Sequence, residues 1–343
     1  MITIAQSSDE PASTVKPPGG PRARVTNLDT IPVIDFAPSF SASLEDRRRV
    51  AREIHSTCRS VGFFYAINHG VSEDLCAAQL AWSERYFALP LEEKMKIDMR
   101  QSKAAHGYEA LAQQVLDPGA PPDLKEGFYI GVDRGPEDPL IIAETPNHGP
   151  NQWPEHLPGF REQMTDYFSA VRGLSLHIMR ILALSLDLEE TYFDDACTDS
   201  GPLLRLIHYP AHPENAQPNQ LGAGIHTDWG AITLLLQDNS GGLEVETRDG
   251  IWVNAKPIPN SFVVNIADMM ERWTNGMYKS NRHRVLNNRT GRSRYSVPFF
   301  FNPNFNARVE CVHTCTTVDN PPKYESCTVS EHIAEMYKRS YGT

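Results

Sequence analysis

Apolar positions along this chain follow one period in its first half and another in its second. Between Ser43 and Val61, the residues Leu44, Val50, Ile54, Cys58 and Val61 recur with a helical period, and Ser43 with Asp46 three residues on supplies a capping box. Gly62 stops that helix, Phe63–Ile67 predicts a buried strand, and Asn68-His69-Gly70 predicts a turn. A second helix is expected from Ser72 to Phe87, broken or restarted at Pro90. The most regular helical pattern runs from Gly159 to Leu186, through Phe160, Met164, Phe168, Val171, Leu174, Ile178, Ile181 and Leu182. After residue 202 the texture becomes short β-type runs: Leu203–Tyr209, Ile232–Leu236, Leu243–Glu246, Ser261–Ile266, His283–Leu286 and Tyr295–Phe301. Turn clusters separate them, the clearest being Asp238-Asn239-Ser240-Gly241-Gly242. Strands at this spacing predict a sandwich or jelly roll. A final helix from Ser330 to Tyr341 follows a capping pair, Thr328 and Glu331.

Two stretches lack either period. Residues 1–27 are rich in Ser, Pro, Thr and Gly and are expected to form a flexible tail, with order starting at the β-type run Ile31–Phe36. Residues 101–157 read as a long loop region with short strands such as Phe128–Ile130. Loops of this kind border active sites, which makes Tyr108, Lys125 and Phe128 candidates to touch a substrate. The expected organisation is a tail (1–27), a helical and mixed region (28–200) and a β-rich catalytic core with a C-terminal helix (201–343), all in one structural unit. The fold class is α+β with a mainly β core.

Composition narrows the function. In 343 residues, Lys and Arg number 32 against 43 Asp and Glu, a net charge of −11 that argues against a nucleic-acid partner and for a small-molecule substrate. No uninterrupted apolar run nears the ~18 residues that span a bilayer, and the first twenty residues lack a secretory pattern. Six scattered cysteines with no C-x-x-C pair suit a reducing compartment. The expectation is a cytoplasmic protein without a membrane partner, monomeric or weakly homo-oligomeric.

The chemistry begins at His226-Thr227-Asp228. On a strand, residues two apart share a face, so imidazole and carboxylate can enter one cavity. Among 12 histidines an isolated H-x-D carries little weight. His283, 55 residues beyond Asp228, lies about three predicted strands away, and a rolled sheet can bring such strands together. Two imidazoles and one carboxylate make the facial triad that suits iron(II), although zinc accepts the same ligands. Arg294-Tyr295-Ser296 then puts a guanidinium and a hydroxyl on one strand face. That pair matches a carboxylate, which an oxygenase holding a dicarboxylate co-substrate needs and a zinc hydrolase does not. By face parity, Arg205 joins Ile207 and Tyr209, and Phe300 joins Arg294 and Ser296 unless Pro298 forms a bulge; Trp229 follows Asp228 and can wall the same pocket. Arg205, Trp229 and Phe300 are therefore candidates for substrate contact. Three other patterns are set aside. Cys311-x-His313-x-Cys315 lacks a fourth zinc ligand and is expected to be a buried strand edge. His208 and His212 flank Tyr209-Pro210 and form no helical metal pair. Gly222-x-Gly224 lacks the third glycine of a dinucleotide loop.

H-x-D, a distal His and R-x-S, in this order, resemble the iron(II)/2-oxoglutarate-dependent oxygenases of the isopenicillin N synthase-like branch. The resemblance extends over Ile31–Asp35, Gly62–Tyr65 with Asn68-His69-Gly70, Gly241–Val245, Asn265–Asp268 and Phe301–Asn304. It implies a double-stranded β-helix (jelly roll) with flanking helices, iron on His226, Asp228 and His283, and the distal carboxylate of 2-oxoglutarate on Arg294 and Ser296. Tyr209 matches a tyrosine that hydrogen-bonds the co-substrate, while Ile207 stands where many plant members have Asn. The implied activity uses Fe(II), O₂ and 2-oxoglutarate, which is decarboxylated to succinate and CO₂ while a small molecule is hydroxylated, desaturated or cyclised. Two alternatives remain open on the sequence: a same-fold Fe(II) oxidase that does not use 2-oxoglutarate, and a non-catalytic metal-binding relative.

Overall fold

The structure is a computed structural model that describes residues 31–341 apart from 144, 146, 147, 215 and 288–290. The expected tail, 1–27, lies outside the described residues.

The strand β1 (Val33–Asp35) leads into the helix α1 (Leu44–Ser60), capped by the Ser43 side chain, which accepts from the Asp46 N–H as the capping pattern predicts. β2 (Phe63–Ile67) follows, then α2 (Glu73–Phe87), α3 (Leu91–Met95), β3 (Gly107–Glu109), β4 (Glu126–Ile130), α4 (Pro139–Ile142) and the long α5 (Phe160–Ser185). The second half supplies β5 (Leu203–Tyr209), β6 (Ala223–His226), β7 (Ile232–Gln237), β8 (Leu243–Glu246), β9 (Trp252–Asn254), β10 (Phe262–Ile266), α6 (Asp268–Trp273), β11 (His283–Val285), β12 (Arg294–Phe301), β13 (Arg308–Val309), β14 (Cys327–Thr328) and α7 (Val329–Tyr341). At α7 the predicted capping box closes in both directions: Thr328 N–H donates to Glu331 at 2.7 Å, and Glu331 N–H donates to Thr328 Oγ1 at 3.2 Å.

Two sheets face each other. The larger has eight strands in the order β1-β2-β10-β7-β12-β5-β4-β3, and the smaller has four, β6-β11-β8-β9. Strands from residues 33–130 thus sit in the same sheet as strands from 203–301. The two-residue period sorts the side chains of the large sheet. Leu204 and Leu206, Phe262 and Val264, and Val297, Phe299 and Phe301 enter the core shared with α1, α2 and α5. Their alternates, among them Phe63, Tyr65, Ile207, Tyr209 and Val263, meet Val245, Val253 and Val285 of the small sheet. α5 is long and apolar enough to cross a membrane by length and composition, and here its apolar side packs against α1, α2 and the sheet.

Three expectations need correction. β9 and α6 are absent from the predicted elements: three residues and six residues are too short to establish a period. Cys311-x-His313-x-Cys315 is no strand edge, because His313–Cys315 forms a 3₁₀ turn whose Cys315 is buried in the helical core. Tyr108 and Phe128 are buried in the helical core instead: Phe128 packs on Tyr86 of α2 and Phe160 of α5, and Tyr108 donates to Glu126 at 2.5 Å. β3 and β4 extend the large sheet, so parity rather than loop exposure decides where their side chains go.

Candidate active site between the two sheets

β11 lies beside β6, and His283 is the direct cross-strand partner of His226, with ring centroids 4.2 Å apart. Asp228 comes from the segment just after β6 rather than from the strand itself, so strand parity is not what aims it. Backbone bonds do so: Asp268 N–H to Asp228 C=O at 2.9 Å, Met269 N–H to Gly230 C=O at 2.9 Å, and Ala267 N–H to Ala231 C=O at 3.1 Å. The carboxylate Oδ1 reaches within 3.9 Å of His226 Nε2 and 3.6 Å of His283 Nε2, and one ligand atom from each residue lies within 4.8 Å of the others. Among the described residues this is the one such cluster.

The surrounding bonds leave the right atoms free for a metal. His226 Nδ1–H donates to the Gly224 carbonyl at 2.7 Å and His283 Nδ1–H to the Asn281 carbonyl at 3.3 Å, which turns both Nε2 lone pairs inward. Asn265 Nδ2 donates to Asp228 Oδ2 at 2.8 Å and leaves Oδ1 on the histidine side. Burial lowers the His226 pKa, and the neighbouring His283 lowers it further, so the imidazole is held as a neutral ligand. Burial alone would raise Asp228, but the adjacent His283 and His226 together with hydrogen bonds outweigh it, and the carboxyl stays ionised below its ordinary range. Gly62, at φ +71°, is needed for this geometry: a Cβ there would stand 2.5 Å from the Lys279 carbonyl, in the segment leading to His283.

Two chambers meet at His226 and Asp228. The inner one, about 60 Å³, lies between the sheets and contains His283, Tyr209, Ile207, Arg294, Ser296 and Lys125. Arg294 and Ser296 are each only 1% exposed. Arg294 Nε donates to Gly241 C=O at 2.7 Å and Nη2 to Gln237 Oε1 at 3.1 Å, while its Cζ stands 4.8 Å from the centroid of the Tyr209 ring. Tyr209 therefore supports the guanidinium with its ring face, and Gly222 makes room, since a Cβ there would fall 2.9 Å from that ring. Nη1 is buried without a hydrogen-bond partner. A buried cationic donor so placed is costly unless an anion completes it, and a carboxylate fits. Lys125, 2% exposed, pairs with Asp123, whose other oxygen accepts Gly224 N–H at 2.9 Å. Burial pulls the Lys125 pKa down to about 8, against the opposing charge of Asp123, so it is still a cation at neutral pH.

The outer chamber, about 130 Å³, opens on the other side of His226 and Asp228. Its walls are Tyr129, Trp229, Phe300, Phe305, Ile333 and Tyr337, with polar groups from His106, Gln114, His148 and Arg205. Arg205 is ion-paired with Glu109, donates to Gln114 Oε1 at 3.0 Å and lies over the Tyr129 ring. Trp229 meets Tyr337 of α7 edge to face at 5.2 Å. Pro298 introduces no bulge: pairing with β7 is continuous from Ser296 to Phe301, and Phe300 stays on the face of Arg294 and Ser296, where it borders both chambers. The structure thus brings together His226, Asp228, His283, Arg294, Ser296 and Tyr209 in the inner chamber, and Arg205, Trp229 and Phe300 at the outer one. Sequence reasoning missed Glu109, Gln114, His106, His148, Phe305, Ile333 and Tyr337. Asn265 sat in a quoted motif without a role; the others carry no local signal, because non-regular segments and a distant helix deliver most of them.

Comparisons with known proteins show the family. Residues 31–156 match the family described as non-haem dioxygenase in morphine synthesis N-terminal, and residues 200–303 match the 2OG-Fe(II) oxygenase superfamily. The chain is 40% identical over 316 residues to the 2-oxoglutarate-Fe(II) type oxidoreductase hxnY of Emericella nidulans, covering 91% of this chain and 90% of that protein. A full-length Neurospora crassa protein, solved in complex with alpha-KG and thymine, superposes with a TM-score of 0.79 at 31% identity, covering 93% of this chain and 98% of that one. JOX2 in complex with 2OG, Fe and JA gives 0.72 at 28% identity, covering 95% and 91%.

Proposed function

Because the chain belongs to the 2-oxoglutarate–iron(II) oxygenase superfamily, we propose that His226, Asp228 and His283 hold its iron, that Arg294 and Ser296 hold the far carboxylate of 2-oxoglutarate, and that the outer chamber takes a small, neutral, ring-containing substrate. The protein is an Fe(II)- and 2-oxoglutarate-dependent dioxygenase with a double-stranded β-helix fold. The single observation that carries the residue assignment is the buried, unpartnered Nη1 of Arg294, at one end of a chamber bordered elsewhere by the triad. That donor also favours a 2-oxo dicarboxylate over the same-fold oxidase that takes all its electrons from substrate.

When bound, the iron supplies O₂ activation coupled to decarboxylation of the 2-oxo acid. The chain does the rest. The Gly224 and Asn281 carbonyls accept the Nδ1–H of the two imidazoles and turn Nε2 inward, and Asn265 fixes the Asp228 carboxylate. Tyr209 and the carbonyl of Gly241 hold Arg294 flat for a bidentate carboxylate. Ile207, Leu235, Leu243 and Val285 keep the inner chamber dry, which strengthens each of these contacts.

The substrate class rests on the outer walls. Aromatic faces of Trp229, Phe300, Phe305 and Tyr337 suit a planar ring, and about 130 Å³ suits a small one. Glu109 matches the charge of Arg205, and burial holds His106 neutral, lowering its pKa to about 4, so these groups leave no net charge to pair with an ion. The thymine and JA found in the two related structures support a small molecule. The test is a screen of neutral heterocycles and aromatics for stimulated succinate release, with mass spectrometry for a gain of one oxygen or loss of two hydrogens. Stimulation confined to charged aliphatic compounds would overturn the substrate class.

A further inference from the structure

The two ends of the inner chamber differ in how their cations are occupied. At the far end Arg294 has one guanidinium nitrogen unpartnered, and the walls between are apolar at Ile207, Leu235 and Leu243. At the triad end, the amide of Asn265 is donated to Asp228 and the guanidinium of Arg205 is paired with Glu109. Lys125 lines the same chamber with a buried ammonium. Asp123 engages one of its three N–H donors and shares its carboxylate with Gly224 N–H.

A five-carbon dicarboxylate with one end on Arg294 must bring its 2-oxo end to the triad, beside this ammonium. We propose that Lys125 is a positioning residue for the co-substrate: its ammonium binds the carboxylate next to the 2-oxo group and sets how that end approaches the metal, with Asp123, anchored by Gly224 N–H of the strand that carries His226, holding Lys125 in place. This rests on the placement of 2-oxoglutarate in the inner chamber.

The test measures anaerobic binding by calorimetry to protein loaded with manganese(II), which replaces iron without turnover. Two ligands are compared: 2-oxoglutarate, and 2-oxovalerate, which keeps the 2-oxo acid end and lacks the far carboxylate. Lys125→Met is expected to weaken both by the same factor, about 10- to 100-fold for the loss of a charge-assisted hydrogen bond. Arg294→Met is expected to weaken only 2-oxoglutarate, and metal affinity in Lys125→Met should stay at the wild-type value. Because Lys125→Met leaves Asp123 buried and unpaired, the double variant Asp123→Asn/Lys125→Met, which removes both charges, is measured beside it and should show the same loss. Lys125→Arg should recover part of the affinity. Unchanged 2-oxovalerate binding in both Lys125 variants, or a loss that tracks metal affinity, would overturn the proposal and leave Lys125 a staple of β6. If Arg294→Met also binds 2-oxoglutarate as the wild type does, the placement of the co-substrate fails with it.

Discussion

The inner chamber is assembled almost wholly from strand positions, whereas the outer one is assembled mostly from loops and a helix, with a few strand residues such as Tyr129, Arg205 and Phe300. Inner residues come from eight strands at fixed parity: Phe63 of β2, Ile207 and Tyr209 of β5, His226 of β6, Leu235 of β7, Leu243 of β8, Asn265 of β10, His283 of β11, and Arg294 and Ser296 of β12. Their backbone is locked by sheet hydrogen bonds, so each side chain has little freedom to be aimed elsewhere. The outer walls come from His106, Gln114, Tyr129 and His148, from Gly201, Pro202 and Arg205, from the 226–230 segment, from Phe300, Asn302 and Phe305, and from Ile333 and Tyr337 of α7. Shared chemistry belongs on the rigid side and substrate choice on the side where loops can change without disturbing the sheet.

If this division holds, the largest effect comes from the point where the chambers meet. Asp228→Ala should abolish iron binding and reduce succinate formation to background, with the thermal transition of the metal-free protein little changed, as read by metal titration and calorimetry. Next, Arg294→Met should raise the 2-oxoglutarate dissociation constant by about 10²-fold through loss of a buried charge pair. Substrate affinity measured at saturating co-substrate should stay near wild type. Glu109→Gln removes the countercharge of buried Arg205 and should cost about 3 kcal/mol of stability in urea unfolding. Replacing both Glu109 and Arg205 with apolar residues should restore most of it.

Trp229→Ala or Tyr337→Ala should raise the substrate KM by about tenfold, equivalent to about 1.4 kcal/mol, and leave 2-oxoglutarate binding alone. An equal loss in both would mean that the two chambers are not separable. The smallest effect concerns pH. Burial lowers the His106 pKa from 6.5 to about 4, so between those values the unfolded chain binds more protons than the folded one. Stability should therefore fall as pH drops from 6.5 toward 4 and level off below. His106→Gln should flatten that fall, a difference of about 1–2 kcal/mol near pH 5 by chemical denaturation.

The same division explains what the sequence made legible. His226, Arg294 and Ser296 were readable because a two-residue period fixes which side chains share a face, Tyr209 through the family resemblance, and His283 through a strand spacing that the register His283 opposite His226 makes concrete. Asp228 enters the expected cavity for a different reason from the expected one, as it follows the strand and is aimed by bonds from Ala267, Asp268 and Met269. Tyr108, Lys125 and Phe128 look equivalent in a loop-rich stretch of sequence. β3 and β4 turn Tyr108 and Phe128 into the helical core, and Lys125, just before β4, into the chamber. Arg205 lies on the expected face, but its partner Glu109 is 96 residues away on another strand, so its neutralisation could not be read. Tyr337 was visible only as part of a capped C-terminal helix, and nothing local says that this helix closes the outer chamber.

The most direct test is anomalous diffraction at the iron edge from crystals grown anaerobically with iron(II) and 2-oxoglutarate. The account predicts one iron among His226 Nε2, Asp228 Oδ1 and His283 Nε2, with the far carboxylate of 2-oxoglutarate on Arg294 Nη1. Iron held elsewhere, or a co-substrate lying in the outer chamber with Arg294 untouched, would contradict it.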